Sequence, residues 1–173
     1  MAKLDETVMK IGDLDERAMD AARQRLDQLT KPPGSLGVLE DLAVRLAGIS
    51  GNPLPQVKDK AVVVMAADHG VVEEGVSAFP SEVTAQMVLN FLRGGAAINV
   101  LARQAGARVT VVDIGVALPM HQPGLINRKV RLGTGNIARC PAMTREEAMQ
   151  ALETGIEIAT GEVERGADIL ATG

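Results

Sequence analysis

Apolar residues recur every three or four positions in the first third of the chain, which is the spacing of amphipathic helices. The first helix is predicted to start at Asp13, because Asp13 and Glu16 have the spacing of a capping box, and to end before Pro32. The second is predicted from Leu36 to Ile49, before a loop. Since each helix has one apolar stripe, the two are expected to pack as a helical hairpin.

Short, continuous apolar runs replace this spacing further along the chain. Ala61–Ala67 and Val109–Ile114 are rich in valine, which predicts strands that are buried on both faces. Between them one helix should begin at Ser81 and end at Gly94, and a shorter one should cover Ala96–Gln104. Strand, helices and strand form a right-handed crossover unit, so the two strands are expected to be parallel.

The residue pattern in the last third of the chain predicts a long loop, a helix and a third strand. Residues 115–141 are rich in glycine and proline, with one short strand expected at Lys129–Leu132. Thr144 and Glu147 form a capping box at the start of a long helix, and Ile169–Ala171 opens the third strand. The pattern therefore predicts an α/β fold with a parallel sheet flanked by helices. Residues 1–52 form an N-terminal helical segment, and residues 53–173 form the α/β domain.

Composition excludes several classes of function. The chain has 173 residues, a net charge of −4, two phenylalanines and neither tryptophan nor tyrosine, so a basic or base-stacking nucleic-acid surface is not expected. The single cysteine, Cys140, excludes an intramolecular disulfide and a thiolate metal cluster within one chain. The N-terminus has no apolar signal region and no membrane-spanning run, which favours the cytoplasm.

Polar residues follow both predicted strands. Asp68, His69 and Gly70 come after the first strand, and Asp113 ends the second. Ligands of open α/β sheets bind at the carboxyl ends of the strands, where such residues would converge. A carboxylate beside an imidazole suits binding or proton transfer, whereas Asp113 alone is as well explained as the cap of a turn.

Other residues suggest weaker alternatives. Asp68, His69, Asp113 and His121 could in principle bind a metal, but their spacing matches no regular metal-ligand motif. The Gly133-Thr134-Gly135-Asn136 run resembles a phosphate cradle only faintly, since it follows no clear strand. On the helix after the Asp-His loop, Gln86 could hydrogen-bond a planar heterocycle on which Phe79 packs.

Three stretches together resemble a known family. They are "LTKPPGSLGVLEDLAVRLAGI" (29–49), "AADHGVVEEGVSAFPSEVTAQMV" (66–88) and "NFLRGGAAINVLARQAGARVTVVDIGV" (90–116). They closely resemble the nicotinate-nucleotide–dimethylbenzimidazole phosphoribosyltransferases of cobalamin biosynthesis, and the resemblance extends over nearly the whole chain.

This resemblance implies an activity and an architecture. Members of the family transfer the phosphoribosyl group of nicotinate mononucleotide to a ring nitrogen of dimethylbenzimidazole, which yields α-ribazole phosphate and nicotinate. It implies a Rossmann-like α/β domain plus a small helical domain, to which the N-terminal hairpin would belong. It further implies a homodimer that uses no metal or other cofactor, with a glutamate as general base and a glycine-rich loop for the phosphate.

The resemblance also assigns substrate-binding residues. Ser81, Gln86 and Met87, with Phe79 beside them, correspond to the benzimidazole-binding stretch. The residues expected to line the cleft are Asp68, His69, Gly70, Phe79, Ser81, Gln86, Met87 and Asp113. The family's phosphate loop and general base have no counterpart in these 173 residues, so no catalytic residue is assigned. The chain is therefore expected to be an inactive N-terminal half that self-associates, and a non-catalytic base-binding or assembly module and an Asp/His metal hydrolase are the alternatives.

Overall fold

The computed structural model describes residues 3–173 and divides the chain into two compact units. One unit is Asp5–Val57, and the other is Lys58–Gly173 together with Lys3 and Leu4. Helix α1 (Lys3–Lys10) was not anticipated from the sequence. It carries acids in its first turn and Lys10 in its last turn, an arrangement that complements the helix dipole.

The unit Asp5–Val57 contains the predicted pair of helices, α2 (Glu16–Asp27) and α3 (Val38–Ser50). The predicted start of α2 was wrong by two residues. Asp15, and not Asp13, is the N-cap, and its carboxylate accepts a hydrogen bond of 3.0 Å from the Ala18 amide. The core between the helices consists of small apolar side chains, which let the two backbones come close: Ala18, Ala22, Val44 and Ala47.

The other unit is built on a four-stranded parallel sheet in the order β3-β2-β1-β4. The strands are β1 (Lys60–Ala67), β2 (Ala107–Gly115), β3 (Leu125–Asn127) and β4 (Ile169–Thr172). The parallel pairing of β1 with β2 is confirmed, with Val62 opposite Val109. The predicted α/β fold, with a parallel sheet flanked by helices, is therefore confirmed.

The short strand expected at Lys129–Leu132 lies instead at Leu125–Asn127, where it pairs with Val111–Asp113 of β2. The amide of Val130 still donates to the Ile114 carbonyl at 3.0 Å, so the predicted segment runs beside the end of β2. It bends there and forms no regular ladder.

Four helical segments complete this unit. They are a 3₁₀ helix (Gly70–Glu74), α4 (Glu82–Arg93), α5 (Ala97–Ala105) and α6 (Arg145–Glu164). The predicted stop of α4 at Gly94 and the Thr144–Glu147 capping box of α6 are confirmed. Val88 of α4 packs on Ala66 and Val111 of the sheet and anchors the core of this unit. None of the helices in the described part of the chain is both long and apolar enough to cross a membrane.

Candidate binding site

The carboxyl end of the central strand β1 is held by backbone hydrogen bonds on both sides. The Asp68 amide donates to the Gly115 carbonyl at 3.0 Å, and the Asp68 carbonyl accepts from the Thr134 amide at 3.0 Å. The Asp68 carboxylate, only 7% exposed, accepts a 2.7 Å hydrogen bond from the Ala117 amide. This carboxylate thus connects the strand end to the loop after β2, while His69 is exposed beside it.

A cavity of about 530 Å³ opens next to this strand end. Its floor is the second half of β1, from Val64 to Ala67. One wall is the 3₁₀ helix and the loop after it, and another wall is the face of α4 that runs from Val83 to Phe91. Most of the lining is apolar, and the polar side chains that reach it are few: Asp68, His69, Ser77, Ser81 and Thr84.

Five of the substrate-binding residues predicted from the sequence line this cavity together: Asp68, His69, Phe79, Ser81 and Met87. Phe79 is 67% exposed and Met87 is 38% exposed, so both have surface free for a ligand. Ser81 is the N-cap residue of α4, as expected from the predicted start of this helix, but its hydroxyl makes no capping hydrogen bond. The clustering supports one shared pocket for the strand end and α4.

Three other predicted residues do not line the cavity. Gln86 is exposed on α4 outside it, and Gly70 packs instead against the backbone of residues 134–136. Asp113 is fully buried, lies 2.8 Å from the Lys129 ammonium group, and accepts a 2.9 Å hydrogen bond from the Val116 amide. Asp113 therefore stabilises the loop after β2 through a buried ion pair.

Thr84 lines the cavity but was not singled out in the sequence, whereas Thr134 and Asn136 were considered there only as parts of a faint phosphate cradle. Thr84 follows Ser81 by three residues, so helical spacing could have placed it on the cavity face of α4. Thr134 holds the strand end, because its hydroxyl accepts a 3.3 Å hydrogen bond from the Gly70 amide. Asn136 contacts the 3₁₀ helix from a distant part of the sequence, which no local pattern reveals.

A smaller cavity of about 180 Å³ lies on the other side of the same strand end, and Asp68 and His69 line both cavities. Arg131 and Glu147 pair across its edge at 3.2 Å. A hydrogen bond from the Thr144 amide and the Arg131 charge lower the pKa of Glu147 and outweigh its partial desolvation. Glu147 therefore stays ionised, and its carboxylate is already bound to these two partners. Among residues 3–173, no three His, Cys, Asp or Glu side chains are grouped so as to hold a metal ion.

Comparison with known proteins assigns the chain to a family. A family model described as "Phosphoribosyltransferase" matches residues 11–173. The chain belongs to this phosphoribosyltransferase family.

The relatives it resembles carry a more specific name. The chain is 61% identical over 175 residues to the nicotinate-nucleotide–dimethylbenzimidazole phosphoribosyltransferase of Roseiflexus sp. (strain RS-1), a match that covers 100% of the chain and 49% of that relative. It is 54% identical to the protein of the same name from Halalkalibacterium halodurans, of which it covers 48%. The chain thus spans about half the length of the curated relatives it matches. The resemblance inferred from the three sequence stretches is confirmed.

Solved structures agree. The crystal structure of CobT from Thermus thermophilus superposes with a TM-score of 0.87 at 56% identity, which covers 91% of this chain and 47% of that one. A second structure from the same organism, described as a nicotinate-nucleotide–dimethylbenzimidazole phosphoribosyltransferase, gives a TM-score of 0.89 and covers 49% of that chain.

Proposed function

We propose that this chain supplies the acceptor-base pocket of an enzyme that transfers the phosphoribosyl group of nicotinate mononucleotide to dimethylbenzimidazole. The products are α-ribazole phosphate and nicotinate, as in the lower-ligand assembly of cobalamin. The names of the relatives support the reaction class. The observation that carries the proposal for this chain is the apolar cavity in which the β1 end meets α4.

The chemistry of the cavity suits a flat heteroaromatic ligand. Pockets for such ligands are mostly apolar, with a few polar groups that fix the orientation. Phe79 offers a ring on which a benzimidazole can stack, and the Met87 thioether makes favourable contacts with an aromatic edge. Ser81 and Thr84 offer hydroxyl groups to the ring nitrogens. These residues bind and orient the base and exclude water from it.

The proposed reaction forms one C–N bond and breaks another. A ring nitrogen of the base attacks C1′ of the ribose, and nicotinate leaves with the electron pair of its glycosidic bond. The proton on the other ring nitrogen of the base passes to a general base. No residue of this chain is assigned that role, and none of these steps requires a metal or other cofactor.

The remaining properties are proposals that follow from the family. We propose a cytoplasmic enzyme that works as a homodimer, with its two substrates as its only small-molecule partners. Residues 1–52 would contribute the hairpin of a small helical domain, and residues 53–173 would contribute the α/β domain that binds the base.

Calorimetric titration of the chain with dimethylbenzimidazole tests the pocket. We expect saturable binding, and we expect Phe79→Ala to weaken it roughly tenfold, since an aromatic stacking contact is worth about 1 kcal/mol beyond the apolar area it buries. Leu101→Ala is the matched control, because Leu101 of α5 is 68% exposed, as Phe79 is, but lies outside the cavity.

Equal binding by Phe79→Ala and the unaltered chain would contradict the placement of the base. The alternatives are separated when nicotinate mononucleotide is added as the second substrate and the products are analysed. Binding of dimethylbenzimidazole without formation of α-ribazole phosphate is the behaviour of a base-binding half or module. Hydrolysis that depends on an added divalent metal, with no binding of the base, would instead support a metal hydrolase.

A further inference from the structure

We propose that Asn136 is a positioning residue that holds one wall of the acceptor-base cavity in place, an inference that rests on the function proposed above. The wall in question is the 3₁₀ helix Gly70–Glu74, which contributes Val71 and Val72 to the lining. Asn136 touches this helix from the far side and does not line the cavity itself.

The Asn136 side chain is satisfied at both ends. Its amide nitrogen donates to Glu74 Oε1 at 2.7 Å and approaches Glu73 Oε2 at 3.5 Å. Its amide oxygen accepts a 3.0 Å hydrogen bond from the Ala138 amide, which fixes the direction of the side chain. Asn136 is only 8% exposed, and the Glu74 side chain is 34% exposed, so the hydrogen bond between them is partly buried. Hydrogen bonds to charged groups are the stronger kind.

The 3₁₀ helix needs such a contact because it cannot be stable alone. A single turn of helix fixes several backbone angles for very few hydrogen bonds, and its own geometry is poor. The Gly70 end is tied by its amide to the Thr134 hydroxyl. The Glu73–Glu74 end is tied by Asn136. The segment from 134 to 136 therefore fixes both ends of the wall.

Arg139 contacts the same two carboxylates but contributes less. Its guanidinium lies 2.8 Å from Glu74 and 3.6 Å from Glu73, and its side chain is 63% exposed. Exposed ion pairs are screened by water and salt and are worth little. The buried amide of Asn136 is thus the principal connection, and Arg139 offers a natural control.

An exchange of donor and acceptor tests the inference. Asn136→Asp replaces the donor with a third carboxylate beside Glu73 and Glu74, and the repulsion should release the wall. We expect affinity for dimethylbenzimidazole to fall roughly tenfold, as the loss of a hydrogen bond to a charged group predicts. In Asn136→Asp/Glu74→Gln the amide introduced at position 74 can donate to the new carboxylate, so binding should return to within about threefold of the unaltered chain.

A further measurement, hydrogen exchange, makes the outcome decisive. The hydrogen-exchange rates of the 71–76 amides should rise in Asn136→Asp and fall back to those of the unaltered chain in the double variant. They should stay unchanged in Arg139→Gln. If the unaltered chain fails to bind the base, the proposed function fails, yet the exchange pattern still decides whether Asn136 holds the wall. Unchanged exchange in Asn136→Asp, or no rescue by Glu74→Gln in exchange or binding, would overturn the inference.

Discussion

At the scale of single residues, the strand end depends on a glycine that has no room for a side chain. A Cβ atom at Gly70 would lie 2.7 Å from the Asn136 amide nitrogen, 2.7 Å from the Thr134 carbonyl oxygen and 2.8 Å from the Gly135 carbonyl carbon. All three are backbone atoms, so no rotamer change can relieve the overlap. The absence of a side chain lets the segment 134–136 approach the cavity wall from behind.

We therefore expect Gly70→Ala to lower both thermal stability and affinity for dimethylbenzimidazole. Overpacking of this kind costs about 1–3 kcal/mol, because backbone has to move. Gly155→Ala is the opposite case, since a Cβ at this position in α6 meets no atom within 4 Å. It should stabilise the protein by about 0.5–1 kcal/mol through helix propensity. Thermal unfolding followed by circular dichroism checks both, and an equal effect of the two changes would contradict this explanation.

Residue-level prediction from the sequence is possible where position along an element decides the outcome. Asp68 and His69 could be placed at the carboxyl edge of the sheet because they follow a buried strand, and their contact with a ligand stays a prediction. Gln86 points about 100° away from its neighbour Met87 around the helix, and of the two only Met87 lines the cavity. The proposed contact of Gln86 with the base stays a prediction. The burial of Asp113 depends on Lys129, a pairing between distant parts of the chain that local patterns do not contain.

At the scale of elements, α2 shows how a cap is selected among neighbouring acids. Asp15 has an extended backbone, with φ −74° and ψ 96°, and its carboxylate reaches the Ala18 amide. The Asp15 amide donates to the Gly48 carbonyl near the end of α3 at 2.9 Å. Asp15 therefore begins one helix and also fixes the end of the other, which spacing with Glu16 could not reveal.

We expect Asp15→Ala to destabilise the protein by about 1 kcal/mol, the usual effect of removing an N-cap side chain. Asp13→Ala should change stability by less than about 0.5 kcal/mol, as surface substitutions do. Urea unfolding of the two variants gives the comparison directly. If Asp13→Ala lost more stability than Asp15→Ala, Asp13 would be the N-cap of α2, as the sequence predicted.

Apolar residues form a stripe at helical spacing along α6, but this stripe does not identify the buried face. Leu152 and Val163 of that stripe are 52% and 61% exposed, whereas Thr154 and Glu162 are buried. Glu162 is drawn inward by Arg108 and Thr110 of β2. A polar network from another element thus determines which side of the helix meets the sheet, and helical periodicity alone carries no information about it.

At the scale of the whole molecule, the parallel sheet and the helical pair follow from hydrophobic spacing, but the connections that hold the sheet to its helices do not. Glu162 is the clearest example, since its fully buried carboxylate accepts hydrogen bonds from Arg108 Nε at 2.8 Å and Thr110 Oγ1 at 2.6 Å. Arg165 completes the network with a further ion pair to the same carboxylate. The network joins the start of β2 to the end of α6, away from the candidate site.

The buried carboxylate of Glu162 should make the stability of the α/β unit sensitive to acid. Burial alone would raise its pKa, but hydrogen bonds from Thr110 and Arg108 and the nearby arginine charges outweigh burial and lower the pKa below its ordinary value of 4.5. A carboxyl whose pKa is depressed by folding stabilises the native state above its unfolded pKa, and this contribution is lost as pH falls through the folded pKa. The free energy of unfolding should therefore decline as the pH falls below the ordinary carboxyl pKa of 4.5, in part because Glu162 becomes protonated.

Glu162→Gln should remove that part of the acid response and also lower stability at neutral pH by roughly 3 kcal/mol, since it breaks a buried charge pair. Glu164→Gln, an exposed neighbour on the same helix, should leave both quantities nearly unchanged. If Glu162→Gln is too unstable to measure, Thr110→Val removes one hydrogen bond and should move the acid unfolding midpoint to higher pH. Urea unfolding across this pH range decides the point, because an acid response in Glu162→Gln as steep as in the unaltered chain would show that other carboxylates control it.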